Sequence, residues 1–257
     1  MQRIRELAKP RDEHLSLVKE AACAIKPEDP QLESWYGGYV EDHLERLAFD
    51  LGYLVDEYSQ PARVRVLEVG CTPPILTRAM KAQGFEVVGV DVQPARFGSS
   101  LEEAGIRVER ARLGLDALPF AERAFHVILM NEIFEHINGN LLFALSEVFR
   151  VLLPGGRLYV STPNLRSLVG LRNYLFRGRA YSCCGDLYEE YAKLERYGHM
   201  GHVREYTVVE VSEFLSRIGF SIDGIIYRGR CPGRYRLLGG VFPQLRPFFS
   251  VLARRRS

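Results

Sequence analysis

The first sixty residues are largely polar. Trp35, Tyr36, Tyr39, Leu44, Leu47, Phe49, Leu51 and Leu54 can gather there on one helical face. This predicts a helical cover over residues 1–60. From Arg63 the pattern changes to short β-rich runs separated by helical stretches. The runs are Val64 to Val69, Glu86 to Val92, Arg107 to Arg112, Phe125 to Asn131 and Arg157 to Thr162, and such alternation predicts a parallel sheet with helices on both faces. Pro154-Gly155-Gly156 should break a helix running from Leu141 to Leu153 and lead into the fifth strand. Residues 164–206 are too long for an ordinary connection in a compact domain, and their aromatic and charged content suits a lid. Thr207 should cap a helix from Val208 to Ile218, with Gly219 as its stop. Phe220 to Tyr227 and Phe248 to Ala253 complete the strands. The expected fold is therefore α/β, a doubly wound and mostly parallel seven-stranded sheet with a C-terminal antiparallel strand pair, in a domain spanning 61–257.

Length and composition change this picture little. The 257 residues suit one large domain, and 47% hydrophobic with 26% charged residues is an ordinary globular balance. A net charge of +2 weighs against a nucleic-acid partner, whose phosphates need clustered Lys and Arg. Five scattered cysteines do not resemble a paired disulfide framework and favour a reducing, cytoplasmic location. No secretory h-region stands at Met1 to Pro10, and no apolar run reaches the roughly eighteen residues of a membrane span. The basic end Arg254-Arg255-Arg256, after an apolar run, suggests weak contact with an anionic membrane surface.

The candidate chemistry begins at Val66-Leu67-Glu68-Val69-Gly70-Cys71, followed by Thr72-Pro73-Pro74, which reads as strand, tight turn and helix start. A dinucleotide enzyme would need glycines at three places here. Only Gly70 is present, and Glu68 would repel a pyrophosphate, so a nicotinamide oxidoreductase is disfavoured and a cationic or zwitterionic ligand is favoured. Asp91, ending the second strand, stands where a carboxylate accepts hydrogen bonds from ribose hydroxyls; a cap for the next turn is the plainer alternative.

Together with Val88-Gly89-Val90-Asp91, Leu118-Pro119-Phe120, Glu132 to His136, and Arg150 to Gly156 leading to Ser161-Thr162-Pro163-Asn164, these segments resemble class I methyltransferases over roughly residues 60 to 230. The resemblance implies S-adenosylmethionine as cofactor. It places Glu68 and Gly70 by the methionine moiety, Asp91 on the ribose, and Gly114, Leu115 and Asp116 by the adenine, with Cys71, Val92 and Asn131 completing the cofactor set. Thr72 and Pro74 depart from the family's glycine-rich turn. The Gly70 to Thr77 variant is similar to methyltransferases encoded with glycan-assembly enzymes, so the expected acceptor is a sugar, glycolipid or other small-molecule hydroxyl.

Glu132, Glu135 and His136 follow the fourth strand at i, i+3 and i+4, a spacing that shares one face of a helix. Two carboxylates and an imidazole there can hold a divalent metal, or can simply complement a helix N-terminus while His136 packs under the lid. Glu132-x-x-Glu135-His136 with the later His202-x-x-Glu205-Tyr206-Thr207 resembles metal-dependent small-RNA 2′-O-methyltransferases, and its first half resembles ubiquinone-pathway O-methyltransferases. By that resemblance Glu132, Glu135, His136 and His202 would hold Mg²⁺ beside a vicinal diol, with His199 nearby. Without the metal, His202 or His136 is the candidate general base, with Glu132 beside it. An RNA ribose methyltransferase and a methyltransferase-like module without catalysis are the competing readings. Cys183 and Cys184 are adjacent and so lack the usual two-residue spacing of zinc ligands; packing within the lid is their expected role. Trp35 to Tyr39 would either cover a flat ligand or pack the N-terminal helix.

Overall fold

The structure, a computed structural model, describes residues 3–6, 10–28, 30–197, 201–231 and 233–257. In chain order the elements are β1 (Arg3–Glu6), α1 (Asp12–Cys23), α2 (Pro30–Glu57), β2 (Arg65–Val69), α3 (Ile75–Ala82), β3 (Glu86–Asp91), α4 (Gly98–Glu103) and β4 (Arg107–Arg110). There follow β5 (Phe125–Asn131), α5 (Leu141–Val151), β6 (Leu152–Pro163), α6 (Leu168–Arg177), α7 (Leu187–Tyr197), α8 (Val208–Ile218), β7 (Phe220–Arg228), α9 (Arg236–Val241) and β8 (Phe248–Arg255). The strand order is β1-β7-β8-β6-β5-β2-β3-β4. All seven expected strands are present, with the C-terminal one antiparallel to its neighbours. Arg3–Glu6 adds an eighth strand at the edge, parallel to β7. This strand lies inside the stretch expected to be wholly helical; its register pairs Arg3 with Gly224 and Glu6 with Tyr227.

The chain forms two compact units. One comprises Ala8–Arg112 with Ala124–Ile128. Its β2, β3 and β4 pair in parallel, with Leu67 opposite Val88 and Val90 opposite Glu109. The strands carry near-continuous apolar runs because both faces are covered: every residue of β2 after Arg65 and of β3 after Glu86 is buried. Helix α1 packs against α2 and α3. The Tyr36 hydroxyl donates to the Ala22 carbonyl at 2.8 Å, and its ring stands 6.2 Å from that of Phe97. The Trp35 to Tyr39 group thus contributes to helix packing, the plainer of its two expected roles.

The other unit comprises residues 1–7, 113–123 and 129–257. Here β8 runs antiparallel between β6 and β7, and α8 packs on β7 and β8. Thr207 caps α8 through a reciprocal box with Glu210, and Gly219 follows the helix at φ +126°. The 164–206 segment holds α6 and α7, and its two ends meet: Asn164 bridges Tyr206, and the Leu165 amide donates to the Tyr206 carbonyl at 3.0 Å. The expected basic cluster is partly engaged by the fold. Arg254 pairs with Asp223 at 2.7 Å, and Arg255 donates to the Phe149 carbonyl at 2.7 Å while lying over the Phe149 ring. No helix among the described residues is long and apolar enough to cross a membrane.

Candidate functional site

Gly70 leaves β2 at φ +69°, a left-handed turn that a glycine adopts without strain. Its amide donates to the Val90 carbonyl at 2.8 Å, which fastens the turn to β3. Gly89 on that strand leaves room for Cys71: a Cβ there would collide with Cys71 Sγ and stand 2.9 Å from Val108 Cγ2. Cys71 is buried, and burial pushes its thiol well above the usual range, so it packs the turn as a neutral side chain. Asp91 is buried and accepts from the Thr72 amide and hydroxyl at 3.1 and 2.8 Å on one oxygen, and from the Gln93 amide at 2.9 Å on the other. A carboxylate has about four acceptor positions, so three of them are filled by its own turn and by Thr72. Val92, half-buried, follows directly.

Glu68 lies on β2 near its carboxyl end. It is buried, accepts from Thr77 Oγ1 at 2.5 Å, and burial raises its carboxyl to about 8. At neutral pH it is therefore mostly protonated and ties β2 to α3.

In the second unit, Gly114 turns at φ +84° and its carbonyl accepts from the Asn140 amide at 3.0 Å. A Cβ on Gly114 would stand 3.1 Å from that amide nitrogen, so the close approach requires glycine. Leu115 beside it is exposed. The following Leu118-Pro119-Phe120 segment is clamped from α5: Glu147 accepts from the Leu118 amide at 2.8 Å, and Arg150 donates to the Leu118 and Phe120 carbonyls at 2.9 Å each. Asn131 ends β5 with a buried Nδ2 that has no hydrogen-bond partner, a donor facing inward at the strand's carboxyl end.

The acidic and histidine residues that follow do not share one helical face as their spacing predicts. Glu132 sits at φ +54°, left-handed and costly for a side chain other than glycine, and only Phe134–His136 form a short 3₁₀ turn. The Ser161 carbonyl accepts from the Glu132 amide at 3.0 Å, and Ser161 Oγ donates to Glu132 Oε1 at 2.8 Å. The structure brings Glu135, His136 and His202 together, with one donor atom of each within 4.8 Å of the others. Glu132 is outside that group because its backbone turns away from the 3₁₀ segment.

Within the group, Glu135 is buried and accepts from Thr162 Oγ1 at 2.8 Å on one oxygen. Its other oxygen, Oε1, is buried without a hydrogen-bond partner. Burial and the neighbouring Glu132 raise its carboxyl to about 8. His136 Nδ1 lies 3.1 Å from the Gly201 carbonyl, which can only accept, so the ring donates through Nδ1. The His136 and His202 rings meet edge to face at 4.6 Å. Burial alone would lower His202, yet Cys184, Glu205 and Glu135 carry it up to about 10. An orphaned carboxylate oxygen with two imidazoles is a donor set that suits a divalent cation. His199 lies outside the described residues.

Sequence reasoning passed over the residues that hold this group. The His202 amide donates to Glu190 Oε2 on α7 at 2.8 Å, and Gly201 passes so close to the Glu190 carbonyl that no Cβ fits. Ser161 and Thr162 orient Glu132 and Glu135. The sequence showed Ser161 and Thr162 only as part of the family-like Ser161 to Asn164 segment, with no role attached. A cleft of about 440 Å³ also opens on α7, lined by Asn138, Tyr188, Tyr191, Ala192, Leu194 and Glu195.

Residues 34–223 match the family described as "Methyltransferase domain". The ubiquinone biosynthesis O-methyltransferase of Azorhizobium caulinodans is 32% identical over 129 residues, 46% of this chain and 51% of that protein. The chain spans about half the length of the curated relatives it matches. Among solved structures, an S-adenosylmethionine-dependent methyltransferase from Mesorhizobium loti is similar with TM-score 0.56 and 23% identity, covering 79% of this chain and 96% of that one. A second, from Archaeoglobus fulgidus, has TM-score 0.59 and 16% identity, covering 86% and 100%. At these identities the likeness is one of fold.

Proposed function

This chain belongs to the methyltransferase-domain family, and from that premise we propose that it transfers the methyl group of S-adenosylmethionine to a hydroxyl of a small molecule. The observation that carries the oxygen acceptor is the buried, unpartnered Oε1 of Glu135 beside His136 and His202. Support for the cofactor comes from the turn geometry of Gly70, the carboxylate of Asp91 with Val92 beyond it, the close-approach glycine Gly114 with Leu115, and the inward-facing Nδ2 of Asn131. Bound S-adenosylmethionine supplies a sulfonium methyl group for in-line displacement. Glu135 and His136, with His202 beside them, would hold a divalent cation such as Mg²⁺, which lowers the pKa of a coordinated hydroxyl. Without the cation, His136 would be the candidate to take the acceptor proton, and Ser161 and Thr162 hold the acids in place.

A cation shared with the acceptor favours two neighbouring oxygens, as in a sugar diol or an aromatic diol. The Gly70 to Thr77 turn favours the sugar or glycolipid, while similarity to ubiquinone biosynthesis O-methyltransferases favours the aromatic diol. The cleft on α7 is of small-molecule size and offers Tyr188 and Tyr191 as stacking faces. The five cysteines, all free, suit a reducing compartment such as the cytoplasm.

The test is methyl transfer from labelled S-adenosylmethionine to a panel of sugar diols, aromatic diols and short RNAs, with Mg²⁺ and with EDTA. Mg²⁺-dependent labelling of a diol is the expected result. Labelling that survives full chelation overturns the metal, labelling of RNA alone overturns the small-molecule acceptor, and cofactor binding with no acceptor labelled favours a non-catalytic module.

A further inference from the structure

Cys183 and Cys184 lie in the bend between α6 and α7, and the methyl-transfer reading gives them nothing to do. The bend carries both thiols to one point. Their Sγ atoms gather with a ring nitrogen of His202 and a carboxylate oxygen of Glu205, all four donors within 4.8 Å of one another. Adjacent cysteines thus converge without the two-residue spacer that such pairs usually need.

The separations resemble the edges of a coordination polyhedron. Cys183 Sγ stands 3.6 Å from His202 Nδ1 and 3.2 Å from Glu205 Oε1, and His202 Nδ1 stands 3.8 Å from Glu205 Oε1. Zinc bonds of roughly 2.0–2.3 Å at tetrahedral angles place donor pairs about 3.3–3.8 Å apart. A fourth separation, Cys184 Sγ to His202 Nδ1 at 2.9 Å, must open by several tenths of an ångström, and Cys184 lies on a half-buried bend free of regular secondary structure.

The surroundings are arranged for these donors. Glu205 is buried and held on both oxygens: the Ser182 amide donates to Oε2 at 2.6 Å with the Ser182 hydroxyl, and the Cys183 amide donates to Oε1 at 3.1 Å. The His202 backbone is fixed by Glu190. Such supporting bonds orient ligands before a metal arrives. Two thiols, an imidazole and one carboxylate form a closed four-donor set with the softness of zinc rather than magnesium.

We propose that Cys183, Cys184, His202 through Nδ1, and Glu205 form a structural zinc site that fastens the 181–186 bend to the 201–206 segment. Engagement of Nδ1 puts the ring's proton on Nε2, so His202 would stand beside Glu135 and His136 as a hydrogen-bond donor and not as a ligand of their cation. That last consequence rests on the methyl-transfer reading; the zinc site does not.

The experiment loads the reduced full-length chain with zinc, desalts it, measures bound metal, and maps alkylation of each cysteine by mass spectrometry. Roughly one zinc per chain should be retained, with alkylation of Cys183 and Cys184 slowed by roughly tenfold or more and that of Cys23 unchanged. Replacing zinc by cobalt(II) should give a thiolate-to-metal charge-transfer band that the Cys183→Ser/Cys184→Ser variant lacks. His136→Ala should keep both zinc and band while losing Mg²⁺-dependent turnover, which separates this site from the acceptor-side cation. A wild-type chain that takes up no zinc, or whose Cys183 and Cys184 react equally fast with and without it, overturns the proposal. Neither of these two readouts needs a variant to fold or a methyl group to move.

Discussion

Two site residues carry their chemistry in ways their identity alone does not show. Glu132 holds φ +54° while Ser161 grips both its amide and its carboxylate. Glu132→Gly and Glu132→Ala both lose the side-chain bond, but only glycine accepts the left-handed backbone. The glycine variant should therefore be more stable than the alanine variant by about 1 kcal/mol in urea unfolding, and equal stabilities would refute the strain. Glu68 makes a second case. Its folded carboxyl is raised from the ordinary 4.5 to about 8, so between these values the folded chain keeps a proton that the unfolded chain has lost. Its favourable contribution is full below 4.5 and is lost as pH rises through about 8. Glu68→Gln keeps an acceptor for Thr77 and removes the titration, so the fall in thermal midpoint across that window should flatten; an unchanged slope would show that Glu68 is ionised throughout. Both residues were legible in the sequence as acids in family-like positions. What was not legible is the backbone angle of one and the burial of the other, because each is set by partners distant in sequence, Ser161 for Glu132 and Thr77 on the next helix for Glu68.

At the scale of elements, hydrophobic pattern was informative wherever a run was long and buried on both faces, as in β2, β3 and β5. The capping signals of α8 were equally readable, since Thr207 and Glu210 act through local bonds. The edge strand Arg3–Glu6 escaped the reading because it is a short charged run whose pairing with β7 is made by the backbone. The helical face expected for Glu132 to His136 failed for a related reason: i, i+3, i+4 spacing presumes a helix, and the chain instead makes a left-handed residue and one 3₁₀ turn. The convergence of Cys183 with Glu205 depends on a bend that no periodicity announces. A further element-scale consequence concerns Leu118 to Phe120, whose position depends on α5. Glu147 is held below the usual carboxylate range by its hydrogen bond to Arg150, and the pair together satisfies the Leu118 amide and two carbonyls. Arg150→Lys keeps the charge but not the fork. It should cost about 1–3 kcal/mol in unfolding free energy and raise amide exchange at Leu118 and Phe120. Exchange unchanged at those amides would show that α5 does not hold the segment.

For the whole molecule, the residues assigned to cofactor and to cation form disjoint sets, and this makes their roles separable. Asp91, Gly70, Gly114 and Asn131 owe their geometry to strand ends and glycine turns. Glu135 and His136 owe theirs to Thr162 and to the Gly201 carbonyl. Chelation should therefore leave S-adenosylhomocysteine binding within about twofold by calorimetry while turnover falls by roughly a hundredfold or more, because a hydroxyl without its cation must be deprotonated by His136 alone. Asp91→Ala should do the reverse, weakening the nucleoside whether or not Mg²⁺ is present. Glu135→Gln, which keeps an acceptor for Thr162 Oγ1 but removes the carboxylate charge, should raise the Mg²⁺ concentration needed for half-maximal rate and leave the homocysteine analogue's affinity alone. If EDTA instead abolished binding of the analogue, the cation would have to belong to the cofactor's own site, and the division of labour between the two residue sets would be wrong.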